Sequence, residues 1–480
     1  MKIFSYLFVV FGVWFAAGCG NGWLDLEPST SIASESSITS LTDVEYTLNG
    51  IYSTMQDAKA YSARLVYYGD VTGDDMQAVA QSKRTANYYL FNFTKDDCPS
   101  SHWYYLYYII QHCNLVLSKV DSLVVGTGDL AYRNDLKGQA LAIRGLALFD
   151  LTRLFGLPYL KDNGASLGVA IVKGVSSVDS KPARSTVAQC YKEIIADLTA
   201  SASLLDSVFN KGKINRWAAL TLLSRVYLYK GDNAAALSTA QEAIRGAEHA
   251  GYRLWSNEEY PTAWGSDASI NVPGEVLFEI VNTTADSPGI ESMGYLSSPD
   301  GYADLCITSS FYQFLKQDSN DVRLKILHFD GQRYAYVNKY QPQASEHVCD
   351  ANIPLIRLSE AYLNAAEAAV KTNDNRAAVQ YLNPIVQRAN PAKSVEGKIL
   401  TLDDVLNERR KELVGEGHRM YDLLRNGLPV HRIDTMDSQL TRTKHFSNYL
   451  KYDWTFHKIV LPIPSDERKA NPNIQQNPGY

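Results

Sequence analysis

Glu408, Arg409, Arg410, Glu412, Glu416, His418 and Arg419 crowd into 12 residues, with Asp422 and Arg425 just beyond. Carboxylates beside a histidine could serve acid–base catalysis or hold a metal. The spacing suits neither. His418 is the only histidine of the stretch, and no second ligand stands at metal spacing. Opposite charges instead recur three and four positions apart, as neighbours on a helix do. The pattern predicts ion pairs, buried or half-buried, that lock helices together. Thr401 and Asp404 read as a capping box opening the helix that carries them. No catalytic residue, metal site or cofactor is expected. Asp74 and Asp75 alone do not make a calcium loop. Cys98, Cys113, Cys190, Cys306 and Cys349 are scattered and form no C-x-x-C pair, so neither a disulfide framework nor a zinc site is indicated.

The sixth cysteine stands apart. Lys2, the apolar run from Ile3 to Phe15, and Ala16, Ala17 and Gly18 together predict an export signal over residues 1–18. The A-A-G-C ending resembles the bacterial lipobox, which makes Cys19 the expected lipidation site and membrane anchor. Residues 19–40 then read as a polar tether and irregular segment. No other stretch approaches the ~18 uninterrupted apolar residues of a membrane span. The run "WYYLYYII" at 103–110 soon meets Gln111, His112 and Asn114, and reads as a buried helix. Net charge is −6 and no Lys/Arg run stands out, so a nucleic-acid partner is not expected.

Helical periodicity dominates from Leu41 onward. Val44, Leu48, Ile51 and Met55 share one face. Leu136, Ala140, Ile143, Ala147, Leu151 and Leu154 form a stripe that Leu141, Leu148 and Phe155 widen, which predicts a helix covered on most sides and ended by Gly156 and Pro158. "RVYLYKGDNAAALSTAQEAI" (225–244) and "EAAVKTNDNRAAVQYLNPIV" (367–386) align as helix, polar turn, helix, resembling the tetratricopeptide unit. Their separation requires a long insertion, placed at about 250–350. That insertion gathers Trp255, Tyr260, Trp264, Tyr295, Tyr302, Tyr334 and Tyr336 among Gly, Pro, Asn, Asp and Ser, with strand-like runs such as "EVLFEIV" (275–281). Residues 61–101 look similar, with Tyr67, Tyr68, Tyr88 and Tyr89 near Asp70, Asp74, Asp75 and Arg84. The expected fold is mostly α: a tetratricopeptide-like helical-repeat scaffold with long irregular loop insertions and a few short strands, forming one domain over 41–480.

Three C-terminal segments follow in order: "PLIRLSEAYLNAAEAA" (354–369), "NERRKELVGEGHRMYDLLRNG" (407–427) and "IVLPIPSDERKANPNIQQNPGY" (459–480). Region 354–480 closely resembles the signatures of the SusD/RagB family. "WLDLEP" after Cys19, "HWYYLYYIIQHCNLVL" (102–117) and "AIRGLALFDLTRLFGLPYL" extend the resemblance over the whole mature chain. It implies a nutrient-binding lipoprotein of a Bacteroidetes outer membrane, facing the exterior. Such a protein captures an oligosaccharide and hands it to a SusC-like TonB-dependent transporter. A RagB-like peptide binder is the alternative. An enzyme, such as a surface glycosidase, and a repeat scaffold that binds only proteins are rivals that the motifs and aromatic loops disfavour. The "NPNIQQNPGY" tail is expected to be extended and held by hydrogen bonds.

Sugars present C–H faces edged with hydroxyls, so their binders use aromatic platforms beside Asn, Asp or Arg. The resemblance places ligand contacts at about 65–101 and 255–340. Within them Trp264, Tyr295 and Tyr302 are the expected platforms, with Tyr88 opposite, and Asp75 with Arg84 the hydrogen-bonding pair. Trp103 falls inside a helical pattern and is assigned to the core.

Overall fold

The computed structural model describes residues 38–480 apart from 178, 208–209, 267–273, 332, 343–346, 435–439 and 441–443. The export signal, Cys19 and the "WLDLEP" stretch lie outside the described residues.

Helix α1 (Leu41–Gln56) opens with a Ser40/Asp43 capping box and buries Val44, Leu48, Ile51 and Met55. After α2 (Arg64–Val71), α3 (Ser100–Lys119) packs on α1 and on α4 (Leu130–Phe155). All nine residues of the predicted stripes of α4 are buried, along with most of its second half, and Gly156 follows its last turn. α5 (Val187–Leu204) lies against α4, and α6 (Arg216–Lys230) against α5.

The two aligned segments fold alike. α6 turns into α7 (Asn233–His249) through Gly231, and α8 (Leu358–Lys371) turns into α9 (Asn375–Ala389) through Asn373. Gly231 (φ +82°) and Asn373 (φ +62°) both take the left-handed conformation that glycine and asparagine tolerate best. Asp232 and Asp374 then cap the second helices by accepting from Ala235 N and Ala377 N. α7 packs directly on α8, so the helical array is continuous in space although the insertion interrupts it in sequence.

The insertion returns to the array through strands. β2 (Val276–Ile280) pairs antiparallel with β4 (Ile353–Arg357), and β1 (Met76–Ala78) with β3 (Leu305–Ile307). α10 (Leu402–Glu412) and α11 (Arg419–Arg425) close the C-terminal region. The tail after Ala470 is held along its length. Asn477 Nδ2 donates to the carbonyls of Phe155 and Leu461, Arg184 donates to Asn477 Oδ1, and the Tyr480 hydroxyl donates to Val460 O.

One expectation needs correction. Residues 61–101 are not an aromatic loop. Leu65 through Val71 are all buried, in a helix wrapped on every side, which is why no amphipathic period marks it. A second short helix, Ala86–Tyr89, buries Tyr88 and Tyr89.

Candidate functional site

The charged cluster of the C-terminal motif is an internal lattice. Arg357 pairs with Glu275, with Glu412 at 3.1 Å and with Glu416 at 2.7 Å. Arg388 reaches Glu275 at 3.1 Å and Glu412 at 2.7 Å, and Arg323 reaches Glu408 at 2.7 Å. Arg425 joins Glu367 and Asp422 at 2.5 and 2.8 Å. Buried charges survive only when paired this closely. Burial opposes ionisation of Glu412, yet the guanidiniums of Arg388, Arg357 and Arg323 outweigh it and lower the pKa to about 2. His418 is buried among these cations, and desolvation drives its pKa well below the usual value, so it stays neutral. The glycines of "VGEGH" serve packing: Gly415 and Gly417 have φ of +83° and +80°. A Cβ on Gly69 of α2 would stand 2.1 Å from Gly417 O.

The lattice also claims one expected site residue. Asp75 is buried and paired with Arg410 at 2.5 Å and Arg419 at 3.0 Å, so it cannot partner Arg84. Trp264 is not an exposed platform either. It is buried edge-on to Trp255 (4.9 Å) and Tyr260 (5.5 Å), with Arg357 4.8 Å from its ring centroid. Tyr88 is buried against Tyr68 at 5.4 Å and His102 at 5.7 Å, and does not face the insertion's tyrosines as a platform. Trp103 is in the core as expected, its indole donating to Glu467.

Arg84, Tyr295 and Tyr302 do come together, at the surface. Asp304, next to β3, fixes the loop that carries Arg84 by accepting from Ser82 Oγ, Arg84 N and Thr85 N at 2.8–3.2 Å. The β1–β3 pairing brings that loop to the insertion. On the insertion side Tyr302 N donates to Tyr295 O, across a turn so tight that a Cβ on Gly301 would lie 2.1 Å from that oxygen. The Arg84 guanidinium sits 3.9 Å from the Tyr302 ring centroid, and Tyr295 meets that ring edge-on at 4.9 Å. Glu291 receives both Nη2 (2.6 Å) and Nε (3.2 Å) of Arg84, an exchange that raises the arginine's pKa further. Tyr302 is 39% exposed.

Glu291 was not foreseen. It lies 207 residues from Arg84, and no local pattern connects them. A second exposed aromatic surface runs along α3, where Tyr104 and Tyr108 stack at 5.9 Å beside a groove of about 360 Å³ that Trp103 and Tyr107 also line.

The chain is a helical array with a buried ion lattice and an arginine–tyrosine surface patch, and comparison gives its family. Residues 328–480 match the model of the SusD family, and residues 22–228 match a family described as starch-binding, associating with the outer membrane. A solved SusD superfamily protein of Bacteroides vulgatus is 38% identical, with 92% of this chain and 100% of that one covered at a TM-score of 0.85. A candidate sugar-binding protein of the same species is 70% identical, covering 93% and 100%, at a TM-score of 0.92. The starch-binding protein SusD of Bacteroides thetaiotaomicron is 33% identical over 27% of this chain and 22% of its own length. The chain belongs to the SusD family.

Proposed function

We propose that this protein is a glycan-capture lipoprotein of the outer membrane that holds an oligosaccharide on the Arg84–Tyr295–Tyr302 surface and passes it to a SusC-like TonB-dependent transporter. Acylated Cys19 is its anchor, confining it beside the pore and raising effective concentration without a new contact. It binds without catalysing: the acid-rich motif is committed to ion pairs. The similarity to a starch-binding protein, and to a candidate sugar-binding protein of Bacteroides vulgatus, supports a carbohydrate ligand.

The observation that carries this reading is the exposed Tyr302 ring beside a bidentate Arg84–Glu291 pair. An apolar face with fixed donors and acceptors at its edge suits a pyranose ring. Calorimetry of residues 20–480 against starch, laminarin and other long oligosaccharides, with peptides alongside, tests it. Saturable binding to one glycan class, weakened about tenfold in Tyr302→Ala, is expected. Binding to peptides alone would overturn the glycan reading, and glycan binding untouched by Tyr302→Ala would overturn the site.

A further inference from the structure

We propose that the captured glycan is acidic, and that Lys59 and Arg64 hold its carboxylate or sulfate group in the cleft beside the Tyr302 platform. This rests on the glycan reading and adds the ligand's charge.

The cleft, about 470 Å³, opens between the α1–α2 connection and residues 287–291. That lies within the range of ligand pockets, about 300–1,000 Å³. Its walls include Ser53, Gln56, Asp57, Lys59, Arg64 and Glu291. Glu291 is the shared wall: it closes the cleft on one side and binds Arg84 on the other, so a ligand lying on Tyr302 has the cleft within reach.

The charges inside it are unequally satisfied. Glu291 is occupied by Arg84. Asp57 accepts from the Tyr105 hydroxyl at 2.8 Å and from Lys59 N at 2.7 Å. Arg64 gives Nη1 to a neutral oxygen, Ser101 Oγ, at 3.0 Å, and also hydrogen-bonds the Tyr88 side chain, so both of its partners are uncharged. The Lys59 ammonium lies 5.9 Å from the Tyr105 ring centroid. Among the described residues no carboxylate stands within ion-pair distance of either cation. Four other half-buried guanidiniums of this molecule do have such a partner. Arg144, Arg153, Arg410 and Arg419 each have a carboxylate within 2.7 Å. Asp57 likewise has only neutral donors, so two cations without an ion-pair partner face one such carboxylate, an excess of positive charge in a chain that carries −6. A planar carboxylate or a sulfate supplies the forked partner that Arg64 lacks.

The test is calorimetry of residues 20–480, native and as Arg64→Gln and Lys59→Gln. Oligogalacturonides would present carboxylates and chondroitin sulfate oligosaccharides sulfates, with malto-, cello- and laminari-oligosaccharides as neutral probes. We expect an acidic oligosaccharide to bind at least about tenfold more tightly than the neutral ones, as a charge-assisted hydrogen bond provides. Each variant should remove about tenfold of that and leave neutral binding unchanged; which acid binds identifies the group. Lys59 is exposed, so Lys59→Gln reports even if Arg64→Gln folds poorly. Neutral sugars bound as well as acidic ones, or acidic binding unmoved by both variants, would overturn the inference and leave the glycan reading standing. Binding of acidic peptides alone, or of no sugar at all, would bring down both.

Discussion

Arg388 and Arg84 make the same kind of contact in opposite settings. Arg388 lies 4.3 Å from the Tyr260 ring centroid and pairs with Glu275 and Glu412. Arg84 lies 3.9 Å from Tyr302 and pairs with Glu291. In the first case cation, ring and both acids are buried; in the second the ring and the acid face solvent. Burial turns the arrangement into a lock, because any missing partner leaves a charge that neither water nor a ligand can reach. Exposure turns it into a handle, because the ring face and the remaining donors can exchange water for a ligand at little cost. Chemistry at a position therefore says less about role than whether solvent reaches it.

The largest expected effect breaks the lock. Glu412→Ala takes one buried carboxylate from Arg323, Arg357 and Arg388 at once, and should cost about 3–5 kcal/mol in urea unfolding. A loss below about 1 kcal/mol would mean the lattice is solvated and the contrast with Arg84 is false. Trp264→Ala follows closely. Removing a buried indole from the Trp255–Tyr260 cluster should cost about 3–5 kcal/mol while leaving the affinity of the folded fraction intact. Weakened affinity at unchanged stability would restore Trp264 as a ligand platform.

Asp70 sharpens the same comparison, because it sits beside the lattice with no cation paired to it among the described residues. Its carboxylate accepts from Gly417 N at 2.7 Å, and burial pushes its pKa up to about 7. An unfolded aspartate titrates near 3.9. Between those values the folded state holds a proton that the unfolded chain has lost, so Asp70's contribution is fullest in acid and drains away as pH rises toward 7 and beyond. Asp70→Asn keeps the acceptor and removes the charge. Relative to the native chain it should gain on the order of 2–4 kcal/mol at pH 8 and nothing near pH 4. A difference that stays flat with pH would show that Asp70 is ionised in the fold.

The C-terminal half of the lattice was legible in the sequence, and the handle only as separate residues, for a physical reason. Charges spaced three and four apart on one helix reveal themselves locally, as do Val44, Leu48, Ile51 and Met55 on α1 and the matched Gly231–Asp232 and Asn373–Asp374 turns. Arg84 and Glu291 meet only because β1 pairs with β3 across the whole array, and no local spacing encodes that. Tyr295 and Tyr302 could be read from composition, yet the same reading chose Trp264 and Tyr88, which are buried. Aromatic residues among Gly, Pro and Asn mark irregular backbone. They do not say which side of it faces water.

Tyr302→Ala tests the handle directly. Loss of the stacking face should weaken a bound oligosaccharide by about 1–2 kcal/mol, roughly tenfold, because an aromatic contact contributes about 0.5–1.5 kcal/mol beyond the area it covers. Stability should move by less than about 1 kcal/mol at so exposed a position. A large loss of stability with unaltered affinity would assign Tyr302 to the scaffold and dissolve the distinction between the two arginines.

Glu291→Gln gives the smallest effect and the finest discrimination. An exposed ion pair contributes about 0–1 kcal/mol, so unfolding should change by no more than that, against several kcal/mol for Glu412. The amide oxygen that replaces the carboxylate still accepts one hydrogen bond from Arg84, and a neutral oligosaccharide should lose no more than about threefold in affinity. For an acidic oligosaccharide the sign reverses. Glu291 is a negative wall of the cleft that Lys59 and Arg64 line, and neutralising it removes a repulsion. Acidic binding should tighten about two- to threefold at low salt and converge on the native value as screening shortens the reach of that wall. If neutral and acidic ligands weaken together, Glu291 acts only by orienting Arg84. In that event the platform and the cleft are not parts of one site.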